Sequence, residues 1–164
     1  MSIITDPGEY IAGCYLQKVL ECDFVNYNVR PPGGGRGSQA ELDVIGLRLR
    51  DKHVFLCEVA IHLRGFNYGS GIQSDIAKVR QKHEVQRQYA ANYLGEFTPE
   101  YMFWSPVVPK GKIISALAEI NGLSLVINGA FQKCVEQLRS MAAAETHDSG
   151  NEVFRYLQIM ERLG

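Results

Sequence analysis

The stretch Glu41-Leu42-Asp43-Val44-Ile45-Gly46-Leu47-Arg48-Leu49-Arg50-Asp51-Lys52-His53-Val54-Phe55-Leu56-Cys57-Glu58-Val59-Ala60-Ile61-His62 decides how this chain is read. Two runs rich in Val, Ile, Leu and Phe, residues 40–50 and 53–63, flank Asp51-Lys52, which predicts an antiparallel hairpin with a two-residue turn. Such a turn sets Asp43 opposite Ala60, Glu41 opposite His62 and Glu58 opposite Ile45. Side chains alternate along a strand, so Glu41, Asp43, Glu58, Ala60 and His62 point to the same side as Ile45, Leu47, Leu49, Val54 and Leu56. Two carboxylates, Asp43 and Glu58, therefore interrupt an apolar face. Like charges desolvated together repel, and a hard divalent cation bound through oxygen relieves them.

Upstream, Pro31-Pro32-Gly33-Gly34-Gly35-Arg36-Gly37-Ser38 breaks any regular element and reads as a loop. Asp6-Pro7-Gly8-Glu9 supplies an N-cap, a proline at N1 and an acid at N3, opening a helix that runs to about residue 21. On that helix Glu9, Ala12, Gly13, Leu16 and Leu20 share a face, so a third acid begins an apolar stripe. The same Glu9 also completes a capping box with Asp6, which is a purely structural use for it. An extended segment follows at 24–29.

Downstream, Ile72, Ile76, Val79, His83, Ala90 and Tyr93 fall within an arc of about 100° at 100° per residue, predicting a long amphipathic helix over 71–94. A strand at 101–108, a helix at 111–120, a short strand at 123–127, a helix from 129 to about 145 and a last helix at 151–163 complete the chain. The order is αβββα followed by βαβαα, an α/β layered domain.

A chain of 164 residues, 46% hydrophobic and 21% charged, fits a single domain with a real core and excludes disordered and collagenous classes. No apolar run approaches the roughly 18 residues of a membrane span. Acidic residues stand where a secretory signal would be basic, so a cytoplasmic location is expected. Cys14, Cys22, Cys57 and Cys134 are too widely spaced for a zinc site and are expected to be reduced and mostly buried. Residues 28–90 hold ten Lys/Arg against six Asp/Glu, and the remainder seven against twelve. That asymmetry permits a polyanionic partner without requiring one. The Gly-rich loop lacks the ending of a P-loop, and nothing matches a nucleophile elbow, a zinc-protease helix or a dinucleotide fingerprint.

Gly8-Glu9 with Ala12, Tyr15 and Leu16, then Glu41-Leu42-Asp43-Val44-Ile45, then Phe55-Leu56-Cys57-Glu58-Val59, followed by the helix from Gly71, together resemble the PD-(D/E)XK or restriction-endonuclease-like superfamily. The likeness is greatest to its small Holliday-junction-resolvase-like members and covers about residues 7–108. It implies a three-layer fold around a mixed central sheet with an αβββαβ core, to which residues 109–164 add a strand and helices. It further implies that Asp43 and Glu58 bind Mg²⁺ or Mn²⁺ through their side chains and Val59 through its carbonyl, with Glu9 as an accessory acid. The activity implied is that of an endonuclease, a hydrolase of phosphodiester bonds in nucleic acid, DNA before RNA. Small nucleases of this fold often pair as homodimers, for which the strand around Trp104 or the last helix would supply the surface.

One position departs from that pattern: the lysine expected two residues after the motif glutamate is Ala60. Lys82 on the following helix borders the core stripe and is the preferred replacement; Lys78 lies further round, and His62 is a second candidate. Lys78, Lys82 and Arg36, the last on a flexible loop, are candidate phosphate contacts, although Lys78, Arg80, Lys82 and Arg87 read equally as a solvated helix face. Glu41 and His62 are expected to form a cross-strand pair. Should no residue replace the lysine, the expectation becomes a nuclease-like module that binds nucleic acid or a protein without cutting.

Overall fold

A computed structural model describes residues 5–32 and 40–164; Arg36 and most of the Gly-rich loop lie outside the described residues. The first helix, α1 (Pro7–Lys18), starts as its sequence predicts: Asp6 Oδ1 accepts from Gly8 N–H at 2.7 Å, and Glu9 Oε2 accepts from Asp6 N–H at 3.2 Å. Five strands follow in sheet order, β1 (Phe24–Val29), β2 (Leu42–Arg48), β3 (His53–Val59), β4 (Thr98–Ser105) and β5 (Leu123–Ile127). The first three are antiparallel and the last three parallel, so the sheet is open and mixed.

Helices cover both faces. The parallel connections run through α2 (Ile72–Tyr93) and α3 (Lys112–Ala118), and two crossovers advancing in one direction put both helices on the same face. There Ile76, Val79, Ile113 and Leu117 pack on Ala60, Phe66 and Phe103. On the other face Ala12 and Leu16 of α1 and Phe131 of α4 (Gly129–Ala144) pack on Val44, Phe55, Cys57, Met102 and Trp104. A last helix, α5 (Glu152–Leu163), buries Phe154 against Cys14, Leu138 and Ala142. Among the described residues no helix is long and apolar enough to cross a membrane. Cys14, Cys22 and Cys57 are buried, Cys134 is half-buried, and all four are free thiols.

Three expectations need correcting. The β2–β3 connection is longer than two residues: Leu49–Asp51 forms a 3₁₀ turn, and Lys52 takes a left-handed φ of 49°. The register is therefore Val44↔Cys57 through Arg48↔His53, two residues off the expected pairing. An even slip keeps every side chain on its expected face, and continuing it by one pair sets Asp43 opposite Glu58 instead of Ala60. Because β3 ends at Val59, His62 lies beyond it and does not face Glu41; Glu41 Oε2 instead accepts from Arg30 Nε at 2.8 Å and Nη2 at 2.7 Å.

The α2 stripe holds for Ile76, Val79, His83 and Ala90, but Ile72 and Tyr93 are about half exposed, since the ends of this 22-residue helix carry them away from the core. Trp104 offers no surface for a partner. It is fully buried between Tyr15 and Phe131, with ring centroids 5.4 and 5.9 Å away.

Candidate metal centre

The start of β2 and the end of β3 lie side by side at one end of the sheet, where α1 arrives from one face and α2 from the other. Gly8 permits that approach: a Cβ there would run into Ile61, so only glycine lets the N-terminus of α1 close on the chain leaving β3. The resulting cleft is walled by Glu9, Asp43, Glu58, Val59, Lys78 and Lys82, and is closed by His62 and Tyr68 from the connection between β3 and α2.

Asp43 and Glu58 are both buried in this wall. Where the β2–β3 ladder would continue to Leu42 and Val59, the Val59 N–H donates to Asp43 Oδ2 at 2.8 Å. Asp43 thus takes over the role of a ladder acceptor and holds the end of β3. Lys82 Nζ stands 3.5 Å from Glu58 Oε2 and donates to the Glu41 carbonyl at 3.3 Å. An α2 residue therefore delivers its ammonium to the carboxylates from across the cleft. Lys78, about one turn earlier and exposed, instead sets its ammonium 4.8 Å from the centre of the Tyr68 ring.

The electrostatics follow from burial. Desolvation pushes the Asp43 carboxyl above its usual range, while the Val59 N–H and Lys82 pull the other way. Glu58 is raised well above normal, first by burial and then by Asp43, with Lys82 opposing. Glu9 is pushed up to about 7, first by burial and then by Asp43. Glu9, Asp43 and Glu58 thus all resist ionisation, and the Lys82 ammonium opposes the shift at Asp43 and Glu58.

That donor set suits a hard cation: Asp43 keeps one oxygen outside its bond to Val59, Glu58 faces it, and Val59 lines the same cleft. Among the described residues no three His, Cys, Asp or Glu side chains are gathered for a metal ion, so such a cation would take two carboxylates and complete its shell with backbone and water oxygens. Glu9 lines the cleft but spends an oxygen on the Asp6 N–H. His62 is held edge-on to Phe66 and Tyr68, with centroids 5.8 and 5.4 Å away.

No family model matches the chain, and no curated protein matches it. Ala60 lines the cleft and is also buried in the apolar cluster beneath α2, its N–H donating to the Trp104 carbonyl at 2.9 Å and its carbonyl accepting from Ser105 Oγ at 2.7 Å. The sequence gives no sign of two neighbours of the site, Tyr68 and Asp75. Both belong to an irregular connection or its junction with a helix, where no periodicity marks inward-facing residues; the only cue is the aromatic content of Phe66-Asn67-Tyr68.

Proposed function

We propose that this chain is a metal-dependent nuclease of the restriction-endonuclease-like type, hydrolysing phosphodiester bonds in nucleic acid, with DNA as the first substrate class. One observation carries the proposal: two buried carboxylates, Asp43 and Glu58, face each other at a sheet end with Lys82 Nζ 3.5 Å from the second. The order of elements, with an open mixed sheet covered on both faces, supports it.

Asp43, Glu58 and the Val59 carbonyl would hold Mg²⁺ or Mn²⁺. Bound there, the cation supplies Lewis-acid stabilisation of the phosphate and lowers the pKa of water. Lys82 takes the part of the missing motif lysine, orienting the attacking water and offsetting charge that builds on the phosphate oxygens. Hydrolysis forms one P–O bond from that water as the P–O bond to the leaving alcohol breaks. Glu9, whose pKa lies near neutrality, is suited to exchanging protons with water in the cleft. Lys78 on the rim contacts the flanking backbone.

A second reading has a specific basis in Ala60: a chain that lost its motif lysine would bind nucleic acid without cutting. The two are separated by incubating the protein, beside Asp43→Ala and Glu58→Ala, with supercoiled, linear, single-stranded and branched DNA and with RNA, in Mg²⁺, Mn²⁺ or EDTA. Cleavage by the parent protein alone, and only with metal, is expected. Intact substrates throughout, with a folded protein, would leave the binding module.

A further inference from the structure

The connection from β3 to α2, residues 60–71, has a rigid interior. Phe66 is buried edge-on to Phe103, with centroids 5.4 Å apart, and its N–H donates to the Val107 carbonyl at 2.7 Å. Two residues later the Tyr68 N–H donates to Asp75 Oδ1 at 2.9 Å, and Asp75, in the first turn of α2, is 2% exposed. The main chain at Tyr68 is therefore tied to the sheet through Phe66 and to the helix through Asp75.

The ring is fixed as well. It meets Phe66 at 5.0 Å and 80°, and His62 at 5.4 Å and 88°, two near-perpendicular contacts. The Lys78 ammonium lies 4.8 Å from its centroid, in cation–π range. What remains of the side chain is its hydroxyl, and Tyr68 lines the cleft that holds Asp43 and Glu58. Among the described residues the Tyr68 hydroxyl has no hydrogen-bond partner, although a half-buried phenol normally finds one.

We infer that Tyr68 is a substrate-contacting residue, its hydroxyl donating a hydrogen bond to a non-bridging oxygen of the phosphodiester held at the Asp43–Glu58 centre; this rests on the nuclease reading. The chemistry fits an oxyanion. Burial, then the charges of Glu58 and Asp43, raise the phenol's pKa, so the hydroxyl keeps its proton and serves as a donor through the neutral range. A neutral donor beside two carboxylates contacts the phosphate without adding to their repulsion, and the Lys78 charge on the ring polarises it further towards an anion. Hydrogen bonds to charged oxygens are the stronger kind. A side chain locked by three neighbours gives up little rotamer freedom in making one.

Tyr68→Phe removes only the oxygen and leaves the ring contacts intact. The full chain and this variant are compared in three measurements: binding of a fluorescent DNA duplex in Ca²⁺ by anisotropy, Mn²⁺ binding by titration calorimetry, and single-turnover cleavage in Mg²⁺. The variant is expected to lose about tenfold or more in duplex affinity or cleavage rate, the equivalent of one hydrogen bond to a charged group, with Mn²⁺ affinity unchanged within about twofold. Parent-like duplex binding and cleavage in Tyr68→Phe would overturn the assignment and leave the nuclease reading standing. An equal fall in Mn²⁺ affinity would also overturn it, by placing the effect on the metal. If the parent protein neither binds Mn²⁺ nor cleaves, the nuclease reading fails, and the role of Tyr68 fails with it.

Discussion

The Val59 N–H donates to Asp43 Oδ2 at 2.8 Å, so a carboxylate on β2 does what a main-chain carbonyl would otherwise do for the last residue of β3. Asp43 is thus both part of the sheet and a burden on it, since it also faces Glu58. The two effects separate by substitution. Asp43→Asn keeps an acceptor oxygen for Val59 and removes the charge, whereas Asp43→Ala leaves the N–H unpaired at a cost of about 1–3 kcal/mol. In urea denaturation at pH 8 without metal, the Asn variant is expected to match or exceed the parent protein and the Ala variant to fall below it. Both should lose metal-dependent cleavage. An Asn variant as unstable as the Ala variant would remove the hydrogen bond from its assigned role.

The acids also set a pH dependence. Glu9 is raised to about 7 in the folded chain from an ordinary value of 4.5, so between these values the folded state holds more protons than the unfolded state. The stability contributed is full below about pH 4.5 and is lost as pH rises through about 7. Asp43 and Glu58, both shifted upward, act in the same direction. Metal-free protein is therefore expected to melt at a lower temperature at pH 8 than at pH 5.5, and Glu9→Gln to flatten the decline. A divalent cation reverses the sign, because it binds the ionised acids: Mn²⁺ should raise the melting temperature more at pH 8 than at pH 5.5. A melting temperature that climbs with pH in EDTA would contradict this account.

Much of the site was legible because strand periodicity survives errors of register. The turn at Leu49–Asp51 shifted the β2–β3 pairing by two residues, yet Asp43 and Glu58 kept their shared face, since only an odd slip turns a strand over. The helical stripe likewise placed Lys82 at the border of the core, where its ammonium reaches Glu58. What periodicity could not carry was anything beyond the strand ends. Glu41 pairs with Arg30 across a loop, and Tyr68 reaches the cleft from an irregular connection. Gln86 is hidden from periodicity for another reason: a polar residue on an inner helical face interrupts the apolar stripe, and only its partners explain it.

Those partners make Gln86 a test of how α2 is held. Its side chain is 1% exposed, and Nε2 donates to the carbonyl of Leu56 on β3 at 3.0 Å and to that of Met102 on β4 at 3.4 Å. Its Oε1 lies 3.3 Å from His83 Nδ1, whose Nε2 lies 3.1 Å from the Asn121 carbonyl. Gln86→Leu keeps the volume and removes the polar ties, leaving buried acceptors short of a donor. A loss of about 1–3 kcal/mol in urea denaturation is expected. Unchanged stability would mean that apolar packing alone seats the helix.

The exchange of lysine between strand and helix gives the most direct test of the proposed chemistry. Ala60 lines the cleft but is buried beside Phe66, Ile76, Val79 and Phe103, so a lysine stem there would crowd well-packed side chains, while Lys82 approaches Glu58 from α2 without doing so. Lys82→Ala is expected to lower cleavage about 100-fold or more, within the range for a positioned proton-handling or charge-stabilising group. Lys82→Arg, which keeps the charge but changes its shape, should retain part of the activity. His62→Ala should cost less than about tenfold, because that ring packs on Phe66 and Tyr68. Ala60→Lys is expected to cost about 1–3 kcal/mol through overpacking, and to leave Lys82→Ala unrescued. Rescue would instead show that a lysine on the strand reaches the reacting phosphate in spite of that crowding. A His62→Ala loss as large as that of Lys82→Ala would transfer the water-positioning role from helix to loop.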